Sequence, residues 1–82
     1  IPVKTISKRE LSHGINIIEL IFQNGLVNSK SEVRRILKNN GIRVNDNVIS
    51  DEKKIINMEN VSKDNSIKLS IGKKNHLKVE II

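Results

Sequence analysis

Asn24 to Asn45 reads NGLVNSKSEVRRILKNNGIRVN, and the fold turns on how this stretch is read. Ser29 and Glu32 stand in S-x-x-E spacing, which places a helix N-cap at Ser29 and lets Glu32 reach back to it. Gly41 lies where a helix stops through a left-handed residue. The helix predicted is 30–40, with a strand directly after it. A helix turns about 100° per residue. With Val33 set at zero, Ile36, Leu37 and Asn40 fall within about 60° of it and form the buried stripe. Lys30, Arg34, Lys38 and Ser31 cover the arc from about 60° to 160°, and Arg35 extends it to about 200°, while Glu32 falls outside at about 260°. The helix therefore predicts one apolar face and one basic face.

The charge pattern agrees with a basic surface backed by an acidic one. The chain has 82 residues and a net charge of +6. Over 29–43, Lys30, Arg34, Arg35, Lys38 and Arg43 stand against Glu32 alone. Over 67–82, Lys68, Lys73, Lys74 and Lys78 stand against Glu80. The segment between them is net acidic through Asp46, Asp51, Glu52, Glu59 and Asp64. This favours a polyanionic partner. The length suits one small domain, and with 1% aromatic residues its core must be Ile, Leu and Val. No cysteine is present, so there is no disulfide or thiolate metal site. His13 and His76 have no metal-ligand spacing, and Asp51-Glu52 reads as solvated charge. Nothing resembles a signal peptide or an apolar run long enough to span a bilayer, so a cytoplasmic location without membrane contact is expected.

In chain order, the opening Ile1-Pro2-Val3 lacks a Met and reads as a piece of a longer chain. Residues 1–10 are expected to be a linker or edge strand, because Pro2 cannot donate to a sheet ladder, and 11–82 the domain proper. Ser7 to Gly14 reads as a polar loop. Asn16 and Glu19 repeat the capping spacing, giving a short helix 17–24 with Ile17, Ile18, Ile21 and Phe22 inward. Ile42 and Val44 alternate with polar residues as a half-buried strand does. Asn45-Asp46-Asn47 is a turn, and Val48-Ile49 starts a return strand. Residues 51–65 give no clear pattern. Ile67, Leu69 and Ile71, then Leu77, Val79 and Ile81, alternate on either side of Gly72-Lys73-Lys74-Asn75. They predict a C-terminal hairpin with two lysines at its tip. The fold class expected is α+β, with two short packed helices and a small, mainly antiparallel sheet.

Ser29-Lys30-Ser31-Glu32-Val33-Arg34-Arg35-Ile36-Leu37, followed by Gly41-Ile42-Arg43-Val44-Asn45, resembles the S-four-type RNA-binding module. Its pattern is S-x-S-E-A-R-R-L-I, then G-V-x-V-N-G, and ribosomal proteins, pseudouridine synthases and tyrosyl-tRNA synthetases share it. The G-I-N-I-I-E-L run from Gly14 to Leu20 and the tail Gly72-Lys73-Lys74-Asn75-His76-Leu77 are similar to the C-terminal domain of bacterial-type tyrosyl-tRNA synthetase. The likeness covers nearly the whole chain. Val33 replaces the module's usual Ala and Asp46 its usual Gly, and Ser70-Ile71 stands where arginines often precede G-K-K.

The resemblance implies a small S-four-type (alpha-L) fold that binds tRNA(Tyr) near its variable arm and anticodon stem and performs no chemistry. It also implies a longer, homodimeric class I parent whose upstream catalytic domain attaches tyrosine using ATP with magnesium, with no cofactor in this fragment. The residues expected on RNA are Lys30, Ser31, Arg34, Arg35, Lys38, Arg43, Lys73, Lys74 and Asn75. Phosphate contacts position RNA without reading bases, and a basic face with Phe22 as its sole aromatic suits a stem. Two other readings stay open: the same module serving another RNA, and a protein-interaction domain with a basic face.

Overall fold

The computed structural model describes residues 2–82. Five strands form the main sheet in the order β1-β7-β6-β3-β4: β1 (Val3–Ile6), β3 (Ile42–Val44), β4 (Asn47–Val48), β6 (Ser66–Ile71) and β7 (Asn75–Ile81). β1 runs parallel to β7, and the other pairs are antiparallel. A small second sheet pairs β2 (Ile15–Asn16) with β5 (Ile55–Ile56). The helices are α1 (Lys8–Ser12), α2 (Ile17–Gln23) and α3 (Lys30–Lys38). The α+β class and the mainly antiparallel sheet are as the alternating strands predict.

The alternation sets the two faces of the sheet. Ile42, Val44, Ile67, Leu69, Ile71, Leu77, Val79 and Ile81 are buried and join Leu11, Leu20, Ile21, Val33 and Leu37 of the helices in one core. Arg43 and Lys68 point the other way and are exposed. Val3–Ile6 is the edge strand, and the Pro2 carbonyl accepts from the Lys78 N–H at 3.0 Å. A proline at this border loses no ladder donor.

Four local expectations need correction. Ser7 to Gly14 is not a loop. Ser7 caps α1 by accepting from the Glu10 N–H at 3.0 Å, and Leu11 is fully buried. Phe22 is not inward: it is 38% exposed, whereas Leu20 is buried. With Ile18 at zero, Leu20, Ile17 and Ile21 fall at about 200°, 260° and 300°, and Phe22 at about 40°, past the edge of the arc. Asn40 is exposed and leaves the buried stripe. The left-handed residue ending α3 is Asn40, with φ 59°, and not Gly41. The Gly41 N–H donates to the Ile36 carbonyl at 2.9 Å and the Asn40 N–H to that of Leu37 at 3.1 Å. That is the Schellman pattern, one residue earlier than expected.

The unassigned stretch holds β5 and a 3-10 turn, Met58–Asn60, capped by Asn57. The Asn45-Asp46 turn is tight despite lacking glycine, since both residues take positive φ (49° and 71°).

Beside β6, Asp64 accepts hydrogen bonds from the Ser62 and Ser66 hydroxyls and lies 3.6 Å from Lys78 Nζ. The two serine hydrogen bonds, with help from Lys78, lower its pKa to about 2. A folded pKa below the unfolded one gives stability that is present above pH ~4 and lost as pH falls toward 2. Asp64→Asn is expected to flatten the acid limb of thermal stability between those values, as thermal melts along a pH series will show.

Candidate nucleic-acid interface

Helix α3 presents the candidate basic face, and both its ends are fixed. The Ser29 hydroxyl accepts from the Glu32 N–H at 3.1 Å. The Glu32 carboxylate does not return to the cap; it binds Arg35 one turn on, at 2.5 Å. Val33 and Leu37 are fully buried and Ile36 half-buried, so Ser31, Arg34, Arg35 and Lys38 are held outward and exposed.

Neighbouring elements alter the basic stripe. Glu19 of α2 forms an ion pair with Lys30, whose Nζ also sits 5.6 Å from the centre of the Phe22 ring. Glu19 and Glu52 line the hollow between α2 and α3 together with Lys30, Arg34 and Lys53. Three cations therefore face two acids there. Among the described residues, Arg34 and Lys38 are in no ion pair, and these two dominate the field of the helix.

The other expected residues lie elsewhere. Arg43 and Lys73 line a groove of about 500 Å³ on the outer face of the sheet. Lys74 and Asn75 border a separate hollow with Pro2 and Leu26. The hairpin tip does meet the end of α3: the Gly72 N–H donates to the Gly41 carbonyl at 2.7 Å. The α3 stripe and the sheet-side groove thus adjoin at the C-terminus of α3, where Asn39 and Asn40 line the groove.

Lys68 and His76, neither of them among the nine residues expected on RNA, also line this groove. Arg43 pairs across the ladder with Ser70, and Ser70 with His76, forming one outward row. His76 Nδ1 lies 3.2 Å from the Ser70 hydroxyl. Lys68 stands opposite Lys78, an unfavourable like-charge pair. Asp46, 3.1 Å from Lys68 Nζ, offsets it on one side and Asp64 on the other. The period of β6 puts Lys68 on the outer face, but only the strand order brings it beside Arg43.

The described residues contain no cluster of three or more His, Asp or Glu suited to a metal, and no helix long and apolar enough to cross a membrane. The exposed cations of α3 and of the sheet-side groove suit a polyanion by charge.

The family model described as the tyrosine–tRNA ligase SYY-like C-terminal domain matches residues 2–79. The chain is 48% identical over its whole length to a tyrosine–tRNA ligase of Pelagibacter ubique. It is 41% identical over 99% of its length to tyrosine–tRNA ligases of Rickettsia africae and of the Wolbachia of Brugia malayi. In each case it spans 20% of the relative's length. A basic α+β domain of this pattern, matched by the family model over nearly all of its residues, belongs to the family of tyrosine–tRNA ligase C-terminal domains.

Proposed function

We propose that this domain binds tRNA(Tyr) through its backbone, near the variable arm and anticodon stem, and does no chemistry itself. The observation that carries the reading is the outward face of α3, where Arg34 and Lys38 stand one turn apart, in no ion pair among the described residues, on a helix capped at both ends. Ser31 and Arg35 flank them on α3, Lys30 reaches the same RNA on releasing Glu19, and Arg43, Lys73, Lys74 and Asn75 extend the contact from the sheet and hairpin tip. With a single aromatic side chain, Phe22 beside Lys30, against this many cations, phosphate contact dominates, and a structured stem is the target.

In this reading the domain is one part of a longer, cytoplasmic and homodimeric tyrosine–tRNA ligase. An upstream catalytic domain there uses ATP and magnesium to attach tyrosine. The task of this part is to hold and orient the tRNA.

The test is binding of the 82-residue chain to tRNA(Tyr) transcripts with and without the long variable arm, over a salt series. Four to six phosphate contacts predict a log–log salt slope of about −3 to −5, with clear loss of affinity when the arm is removed. Arg34→Ala and Lys38→Ala are each expected to weaken binding and to leave the melting temperature nearly unchanged, since both side chains are exposed. Equal binding to both transcripts would leave a generic RNA-binding module. Loss of fold in either variant would make that residue structural.

A further inference from the structure

Three cations converge on the sheet-side groove: Arg43, Lys68 and Lys73, against Asp46 as its one acid. That is a more positive balance than the hollow beside α3, where three cations meet two acids. Arg43 and Lys73 are in no ion pair among the described residues. The groove has no large apolar side chain to anchor a peptide, and the one ring in its lining is the His76 imidazole. Its other polar groups are the ends of Asn39 and Asn40 and the His76 ring held by Ser70. Cations, amides and an imidazole around a concave surface suit a phosphodiester.

Asp46 occupies a telling position within it. The tight turn gives Asp46 a φ of 71° and sets its carboxylate 3.1 Å from Lys68 Nζ, at the groove. Both groups are exposed, the lysine by 49% and the aspartate by 72%, so the pair is weak and exchangeable. The backbone beneath is fixed, because the Asn45 side chain accepts from the Lys68 N–H at 2.9 Å and the Asn45 N–H donates to the Lys68 carbonyl at 2.9 Å.

We propose that this groove is a second phosphate subsite for RNA, centred on Lys68 with Arg43 and Lys73, and that the phosphate displaces Asp46 from Lys68. RNA that lies on Arg34 and Lys38 then continues past the end of α3 onto the outer face of the sheet. The domain grips a backbone that turns around its edge, not one straight stem. The inference rests on the RNA-binding reading and adds Lys68, His76 and the displaceable Asp46 to it.

The experiment measures binding of the 82-residue chain and its variants to the full-length tRNA(Tyr) transcript over a salt series. Lys68→Gln is expected to weaken binding and to reduce the slope by about 0.9, the loss of one phosphate contact, with an unchanged melting temperature. Asp46→Asn, which keeps a residue tolerant of positive φ, is expected to tighten binding by about two- to fivefold, the worth of releasing an exposed ion pair. Glu10→Gln on α1 removes the same charge at an exposed position that lines neither groove and controls for net charge. A Lys68→Gln variant with unaltered slope, or an Asp46→Asn gain no larger than that of Glu10→Gln, overturns the second subsite. If Arg34→Ala still weakens binding in that case, the RNA-binding reading survives without it. If Arg34→Ala and Lys68→Gln are both without effect, both readings fall.

Discussion

Val33→Asp is expected to leave the chain unfolded under conditions where the parent domain is fully folded. Val33 is entirely buried in the middle of α3 and belongs to the same core as Leu37 and Ile42. The core offers an acid no partner, since its members are Ile, Leu and Val side chains. Burying an ionised carboxylate without a partner costs several kcal/mol even after relaxation. Losing the valine's own burial removes about 2 kcal/mol more. A domain of this length is stable by only about 4–12 kcal/mol in total, so the two losses together approach or exceed what holds it. Val33→Ala removes methyl groups without adding charge, and it is expected to cost about 2 kcal/mol and stay folded. Circular dichroism and thermal melts of the pair give the answer. A native-like melt for Val33→Asp would move Val33 out of the core and undo the orientation of α3 on which the interface depends.

The elements legible in the sequence were those where two independent signals agreed. In α3 the cap spacing and the apolar period pointed to the same residues, and in the final hairpin two clean alternations flanked a glycine turn. Helix α1 carries the same S-x-x-E spacing, Ser7 to Glu10, yet its one buried side chain is Leu11, so no period could support the cap. Phe22 lies past the edge of the buried arc of α2, which its apolar character alone does not reveal. The site was only half legible for a different reason. A helical wheel shows which side chains share a face of one element, but not what other elements bring to it. Glu19 reaches Lys30 from α2, and Lys68 and Asp46 meet across the sheet. Those pairings depend on strand order and helix packing, which lie beyond local spacing. They decide which cations are free to bind.

Gly41→Ala is expected to destabilise the domain by about 1–3 kcal/mol, a fall of roughly 5–20 °C in melting temperature for a chain of this size. The reason is contact and not backbone strain, because the left-handed position belongs to Asn40. A Cβ at residue 41 would lie 2.7 Å from Ile36 Cγ2 and 3.2 Å from the Ile36 carbonyl oxygen. That carbonyl is the acceptor of the Gly41 N–H, so it cannot retreat without opening the helix terminus. The Ile36 side chain is branched at Cβ and stiff, and it packs against the core. Movement of Gly41 itself is resisted by the hairpin, whose Gly72 N–H is bound to the Gly41 carbonyl. The strain therefore reaches Lys73 and the sheet-side groove, and Gly41→Ala is expected to weaken RNA binding as well as stability. Asn40→Gly supplies the contrast. Glycine takes a φ of 59° at no steric cost, so that change is expected to be nearly neutral. If Gly41 were the left-handed cap, Asn40→Gly would instead place a flexible residue in the last helical turn and cost about 1 kcal/mol. Thermal melts of the two variants separate the cases: a large loss at 41 with little at 40 identifies close approach to Ile36 as the constraint, and the opposite order would return the cap to Gly41.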